Sequence, residues 1–182
     1  MQTESIEKTT QDFMQLDPEG TLTITLRTVD GARLLNLQKA VLLAIEEVGC
    51  CERSGSEEYR NAIFELTWLF RAIMFNESQT NIALGGKPFG SDQKSDKKTH
   101  RDFMTYELEN RNLMIVLQNV DGSRLLGLQK ALLLGIEDLG YCERSDGQDY
   151  RDAIFYLTWL LRAIMLNESQ TNIGLGGKAY KE

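Results

Sequence analysis

Histidine is nearly missing from this sequence. His100 is the only one among 182 residues, so the commonest general base and zinc ligand is absent from the rest of the chain. Cysteine is scarce too: Cys50, Cys51 and Cys142. An odd count with two neighbours adjacent does not resemble a disulfide framework. With a single histidine it is also a poor zinc set, so no metal and no cofactor is expected. Long apolar runs are lacking. The longest are broken by Arg, Gln, Lys or Glu and are too short to span a bilayer. The stretch Met1 to Phe13 has no apolar signal-peptide core, which leads us to expect a reduced, cytoplasmic protein with no membrane partner. Asn76-Glu77-Ser78 and Asn167-Glu168-Ser169 match a glycosylation acceptor, and without a secretory signal they read as chance matches. Cations are in the minority: 20 Lys and Arg face 27 Asp and Glu, a net charge of -7. That balance disfavours diffuse binding to phosphate backbones.

What the chain does have is repetition. Residues from about Lys8 to Lys87 recur from about Lys98 to Lys178. Gln11-Asp12-Phe13-Met14 matches Arg101-Asp102-Phe103-Met104 at an offset of 90, and Gly31 matches Gly122 at an offset of 91. The extra residue falls in turn chemistry, Asp17-Pro18-Glu19-Gly20 against Glu109-Asn110-Arg111-Asn112, where an insertion is cheapest. This is read as an internal tandem duplication. It divides the chain into a first repeat with an N-terminal extension at 1–87, a polar linker at 88–97 and a second repeat at 98–182.

Each repeat spells ββαα. Leu22, Ile24 and Leu26 alternate with Thr21, Thr23 and Thr25, and Leu113, Ile115 and Leu117 alternate with Met114 and Val116, the period of a strand. Phe13 to Leu16 and Phe103 to Leu108 are the partner strands across each turn, making hairpins. A helix is expected from about Ala32 to Val48, with Leu34, Leu37, Val41, Ile45 and Val48 on its core stripe. Gly49 and Gly140 would end the first helices as left-handed caps. Ser54-x-x-Glu57 and Ser145-x-x-Gln148 would open the second as capping boxes, running to about Asn76 and Asn167. The expected fold class is α+β: two ββαα units about a pseudo-twofold axis, four helices packed with antiparallel β-hairpins around one core, like a fused homodimer.

Candidate sites follow from comparing the repeats. In the second helices the differing positions, Glu58/Asp149, Asn61/Asp152 and Glu65/Tyr156, share one face, read as solvent. Arg60, Thr67 and Arg71, with Arg151, Thr158 and Arg162, form another line, flanked by Ile63 and Met74 on one side and by Phe64 and Trp68 on the other. One reading pairs these arginines internally with Glu46, Glu52 or Asp30. The sharper one brings Arg60, Arg71, Arg151 and Arg162 together in the groove between repeats, with Trp68 and Trp159 for stacking, to hold an anionic small molecule or a partner's acidic side chain. The recurring run Asn76 to Lys87, repeated as Asn167 to Lys178, reads either as a folded-back helix end or as a binding loop contributing Asn76, Gln79, Lys87, Asn167, Gln170 and Lys178. Gly85-Gly86-Lys87 lacks the spacing of a phosphate-binding P-loop. Cys51 and Cys142 recur in Cys-Glu-Arg-Ser with no neighbouring histidine and read as packing. Glu46-Glu47 reads as ordinary solvated charge.

No nucleophile–base or metal constellation emerges. The expected function is therefore a non-enzymatic binding or adaptor protein for a protein partner or an anionic small molecule, in a form compatible with a homo-oligomer. The strand Thr21 to Leu26 followed by two helices also resembles the ribbon-helix-helix DNA-binding family. That resemblance implies a tandem DNA-binding regulator, with Thr21, Thr23, Thr25 and Arg27 as base readers in the first repeat. The second would offer Asn112, Met114, Val116 and Gln118, poor groove chemistry. Together with the acidic charge, this disfavours nucleic acid as the partner.

Overall fold

The computed structural model describes residues 13–74 and 103–165. Strands β1 (Phe13–Leu16) and β2 (Leu22–Leu26) precede helices α1 (Gly31–Cys50) and α2 (Glu57–Met74). The second half repeats this order with β3 (Phe103–Glu107), β4 (Asn112–Leu117), α3 (Gly122–Tyr141) and α4 (Gln148–Met165). The protein is α+β, with four helices and one antiparallel sheet of order β1-β2-β4-β3. The strand assignments match the period-two reading to within a residue or so. The expected linker, 88–97, and the polar runs containing Asn76, Gln79, Lys87, Asn167, Gln170 and Lys178 lie outside the described residues.

The two hairpins join through their inner strands. Ile24 pairs with Ile115, flanked by Leu22 with Leu117 and Leu26 with Leu113. These are the alternating apolar residues of both strands, so one register places all six on the helical side of the sheet. The connections reinforce the join. Val29 N–H donates to Arg111 O and Val120 N–H to Gly20 O, both at 2.7 Å. Gly20 has a φ of 84° and Arg111 a φ of 52°, so both turns pass through the left-handed region, where only glycine is unstrained.

The helices cross between halves. α2 lies over β3 and β4 and packs against α3, while α4 lies over β1 and β2 and packs against α1. α1 and α3 also touch each other and separate α2 from α4. A single apolar core results, drawing Leu34, Leu37, Val41, Leu66 and Leu69 from one half and Leu125, Leu128, Leu132, Leu157 and Leu160 from the other.

Two expected caps are replaced. Gly49 and Gly140 stay inside their helices, which end at Cys51 and Cys142 in extended backbone; their amides still donate to Glu47 O and Asp138 O. With that amide bonded i to i−4, each helix runs on past its glycine, to Cys50 or Tyr141, and no left-handed residue is needed. The Tyr59 amide is received by Ser56 Oγ at 3.4 Å, not by Ser54. Ser54 N–H and Ser145 N–H instead close turns onto Cys51 O and Cys142 O. In the second half Gly147 stands where Ser56 does, accepting from Tyr150 and Arg151, a substitution that costs a cap only a few tenths of a kcal/mol. The first helices are capped as their sequence allows: Asp30 and Asp121 accept the Arg33 and Arg124 amides at 2.8 Å.

Candidate functional site

The arginine line is on the outside. Arg60, Thr67 and Arg71 are exposed on α2, and Arg151, Thr158 and Arg162 on α4. Because α1 and α3 separate these helices, the four arginines do not converge on a groove between halves. Helical geometry explains the correction. The face of α2 carrying Tyr59, Ala62, Leu66, Leu69 and Ile73 is buried, and a line roughly half a turn away must then face water. Between the arginines sits Phe64, 62% exposed, with its counterpart Phe155 at 65%. From Tyr59 to Met74 the only acid is Glu65, and from Tyr150 to Met165 it is Asp152. Each outer face also has one acid beside its stripe, Glu57 on α2 and Asp152 on α4, so two arginines against one carboxylate leave each face cationic around a central aromatic, on an acidic protein. Arg151 is braced locally, donating to Asp146 O at 2.8 Å and Gln148 Oε1 at 3.1 Å.

The seams between halves hold other charges. At one, Glu47 Oε1 accepts from Tyr150 Oη at 2.6 Å and from Arg144 Nη2 at 2.6 Å. The guanidinium lies 5.3 Å from the tyrosine ring centre. At the other, Asp138 Oδ1 accepts from Tyr59 Oη at 3.3 Å and Arg53 Nη2 at 3.5 Å, with Arg53 5.1 Å from the Tyr59 ring. The aspartate is one methylene shorter, so its oxygen stops further from both donors. Glu47 is thus a buried latch and not the solvated charge its Glu46-Glu47 context suggested. Burial pushes both phenols up, to about 12, helped by the facing carboxylates. Burial likewise raises the Asp138 carboxyl, against the pull of Tyr59 and Arg53, and its Oδ2 has no hydrogen-bond partner. Cys51 and Cys142 donate to Val48 O and Leu139 O beside these clusters, a packing role.

A second pair of seams carries the tryptophans. Arg124 lies 3.7 Å over the Trp68 ring, with Nη2 4.0 Å from Glu65 Oε2. Glu65 is only 9% exposed, so its position is no solvent face: it packs against α3 at Gly127, where an added Cβ would lie 3.6 Å from Oε1. Burial raises the Glu65 carboxyl, against the pull of Arg124 and with a push from Asp121. The matching seam differs. Tyr156 replaces Glu65 and Asn36 replaces Gly127, and Asn36 Nδ2 donates to Tyr156 Oη at 3.4 Å. Arg33 stands 6.0 Å from Trp159 and donates to Thr28 O and Oγ1. Comparing the repeats identified Glu65/Tyr156 as a difference. Its meaning needed the pairing with Gly127/Asn36, which only contact between α2 and α3 and between α1 and α4 reveals.

The sheet face away from the helices holds the residues of the DNA-binding resemblance. Thr25 and Val116 are buried there, opposite Phe13 and Phe103 in the register. Thr21 Oγ1 is tied to Gln118 Oε1 at 3.3 Å. β1 and β3 flank the inner strands, and four strands span about 14 Å between outer axes, more than the ~12 Å major groove that admits a two-stranded ribbon. A depression of about 410 Å³ between the Asp17–Gly20 turn and Asn119–Asp121 is rimmed by Asp17, Glu19 and Asp121, the wrong sign for an anion. Among the described residues no group of three or more His, Cys, Asp or Glu is placed to hold a metal ion, and no helix is long and apolar enough to cross a membrane. Comparison with protein-family models, with curated proteins and with solved structures finds no match.

Proposed function

We propose that this chain is a fused pseudo-dimer, made by tandem duplication of a ββαα unit, that works as a non-enzymatic binding or adaptor protein. Its two docking surfaces are the outer faces of α2 and α4, and its partner is an acidic peptide segment carrying an aromatic side chain. The observation that carries the reading is the exposed stripe Arg60-Phe64-Thr67-Arg71, matched by Arg151-Phe155-Thr158-Arg162. A large aromatic this exposed, bordered by guanidinium groups, has the composition of an interface anchor. Charge complementarity selects an acidic occupant, since the stripes are cationic on a chain of net charge -7. The matching register of the inner strands and the reciprocal crossing of the helices support the pseudo-dimer. The two faces are on separated helices, which suits two partners at once and not one small anion.

The test is calorimetric titration with a capped synthetic peptide in which glutamates flank one central phenylalanine. The expected result is two peptides bound per chain, weakened by salt and lost in Phe64→Ala/Phe155→Ala. Absence of binding at low salt, or binding indifferent to that double variant, refutes the reading. Duplex DNA binding at the same salt would instead favour the ribbon-helix-helix alternative.

A further inference from the structure

The two docking faces match in the Arg, Phe and Thr of their stripes, and each has one carboxylate beside them, Glu57 on α2 and Asp152 on α4; they differ behind the stripes. Behind Phe155, Tyr156 stands edge-on to its ring at a centroid distance of 5.3 Å and a plane angle of 89°. Tyr156 in turn meets Trp159 at 6.0 Å, and its hydroxyl is held by Asn36. The α4 face is therefore backed by a braced aromatic cluster, which favours an incoming ring. Behind Phe64 the same place holds Glu65. Its carboxylate lies against Gly127, its Oε2 has no hydrogen-bond partner, and its nearest cation is Arg124, at 4.0 Å. Both seams contain one arginine, Arg124 or Arg33, stationed near a tryptophan. In the α2 seam Glu65 offsets that arginine; in the α4 seam the same place holds the uncharged Tyr156.

We infer that the two faces differ in affinity for the same acidic, aromatic peptide, with the α4 face the stronger, and that Glu65 against Tyr156 is the residue pair that decides it. Two effects act in the same direction. Glu65 repels an incoming carboxylate, and its presence removes the ring that braces Phe155 on the other side. At roughly 8 Å and a dielectric between about half of and all of bulk water's, one unit of charge changes an affinity by about two- to fivefold. This rests on the docking reading above.

The chain has two tryptophans, one behind each face: Trp68 is four residues from Phe64 and Trp159 four from Phe155, neighbours on a helix surface. Their indole N–H resonances therefore report the faces separately, assigned by Trp68→Phe and Trp159→Phe. On titration with the same glutamate–phenylalanine peptide, the Trp159 signal should reach its midpoint at about two- to fivefold lower concentration than the Trp68 signal. Glu65→Gln should narrow the gap, and Glu65→Tyr with Gly127→Asn should close it. Equal midpoints in the unaltered protein, or a gap unchanged in both variants, overturns the inference while the docking reading stands. No shift at either indole overturns the docking reading itself.

Discussion

Ala44 and Gly135 face each other where α1 crosses α3, and the space between them holds one Cβ. A Cβ built on Gly135 would lie 2.9 Å from that of Ala44, with Leu66 and Leu157 each 3.8 Å away. The two positions correspond in the repeat, so an identical pair of alanines could not pass at this distance. One half must yield, and the glycine lets the central helices approach.

Gly135→Ala should therefore destabilise the protein. Overpacking costs roughly 1–3 kcal/mol, offset in part by the ~0.5–1 kcal/mol that alanine gains over glycine inside a helix. Adding Ala44→Gly should restore most of the loss, because the crossing requires one methyl and not a particular owner of it. Denaturant midpoints of the single and double variants check this. A double variant no better than Gly135→Ala refutes it.

Tyr150→Phe should cost more than Tyr59→Phe. The first removes a 2.6 Å hydrogen bond to buried Glu47, the second a 3.3 Å bond to Asp138. Hydrogen bonds to charged acceptors contribute about 1.5–3 kcal/mol, and the longer one should fall at or below the low end. Equal losses in chemical denaturation would show that the difference in length has no energetic meaning.

Both phenols also predict alkaline behaviour. Their pKa of about 12 in the fold stands above the ordinary 10.0. The unfolded chain therefore loses these protons first, and their contribution to stability, complete below pH 10, is lost as pH rises towards 12. The tyrosinate absorbance should include a late fraction that vanishes in Tyr59→Phe/Tyr150→Phe, and that double variant should show a shallower loss of melting temperature across the same window.

At the acid end the sign is the same. Asp138 and Glu65 have carboxyls raised by burial, so on acidification the folded state takes up their protons before the unfolded state does. Stability from these two groups rises as pH falls through their raised values and levels off below the unfolded ones. Asp138→Asn and Glu65→Gln should each melt with a smaller gain, or a larger loss, than the parent between neutral and mildly acid pH. A parallel profile would contradict the burial of the charge.

The halves should differ when made apart. A homodimer of residues 98–182 would place Gly135 against Gly135, which fits, whereas a homodimer of 1–87 would set Ala44 against Ala44. Neither half has its own complete core, because α2 and α4 lie over the strands of the opposite half, so monomers should be unfolded or nearly so. Sedimentation with circular dichroism should find a folded dimer for the second half and a weaker or unfolded first half.

The sequence by itself determined the elements and their order. Alternation at Leu22, Ile24 and Leu26 required a strand with one apolar face, and the stripes in α1 and α2 required amphipathic helices, because these periods follow from local backbone geometry. It also marked Arg60, Thr67 and Arg71 as one line with Phe64 and Trp68 on its flank, and placed the difference Glu65/Tyr156 on a second face with Glu58/Asp149 and Asn61/Asp152. What it could not decide was which line meets water. That depends on which helix lies beside which, and here each second helix packs across to the opposite half. Only the crossing turned Glu65 inward onto Gly127, made Glu47 a partner of Tyr150, and left the arginines outside. Glu47 looked solvated because its neighbour Glu46 is. Burial is a property of the surface that arrives from the other half of the chain, for Glu47 that of Arg144 and Tyr150, 97 and 103 residues away in sequence, and no local period encodes that arrival.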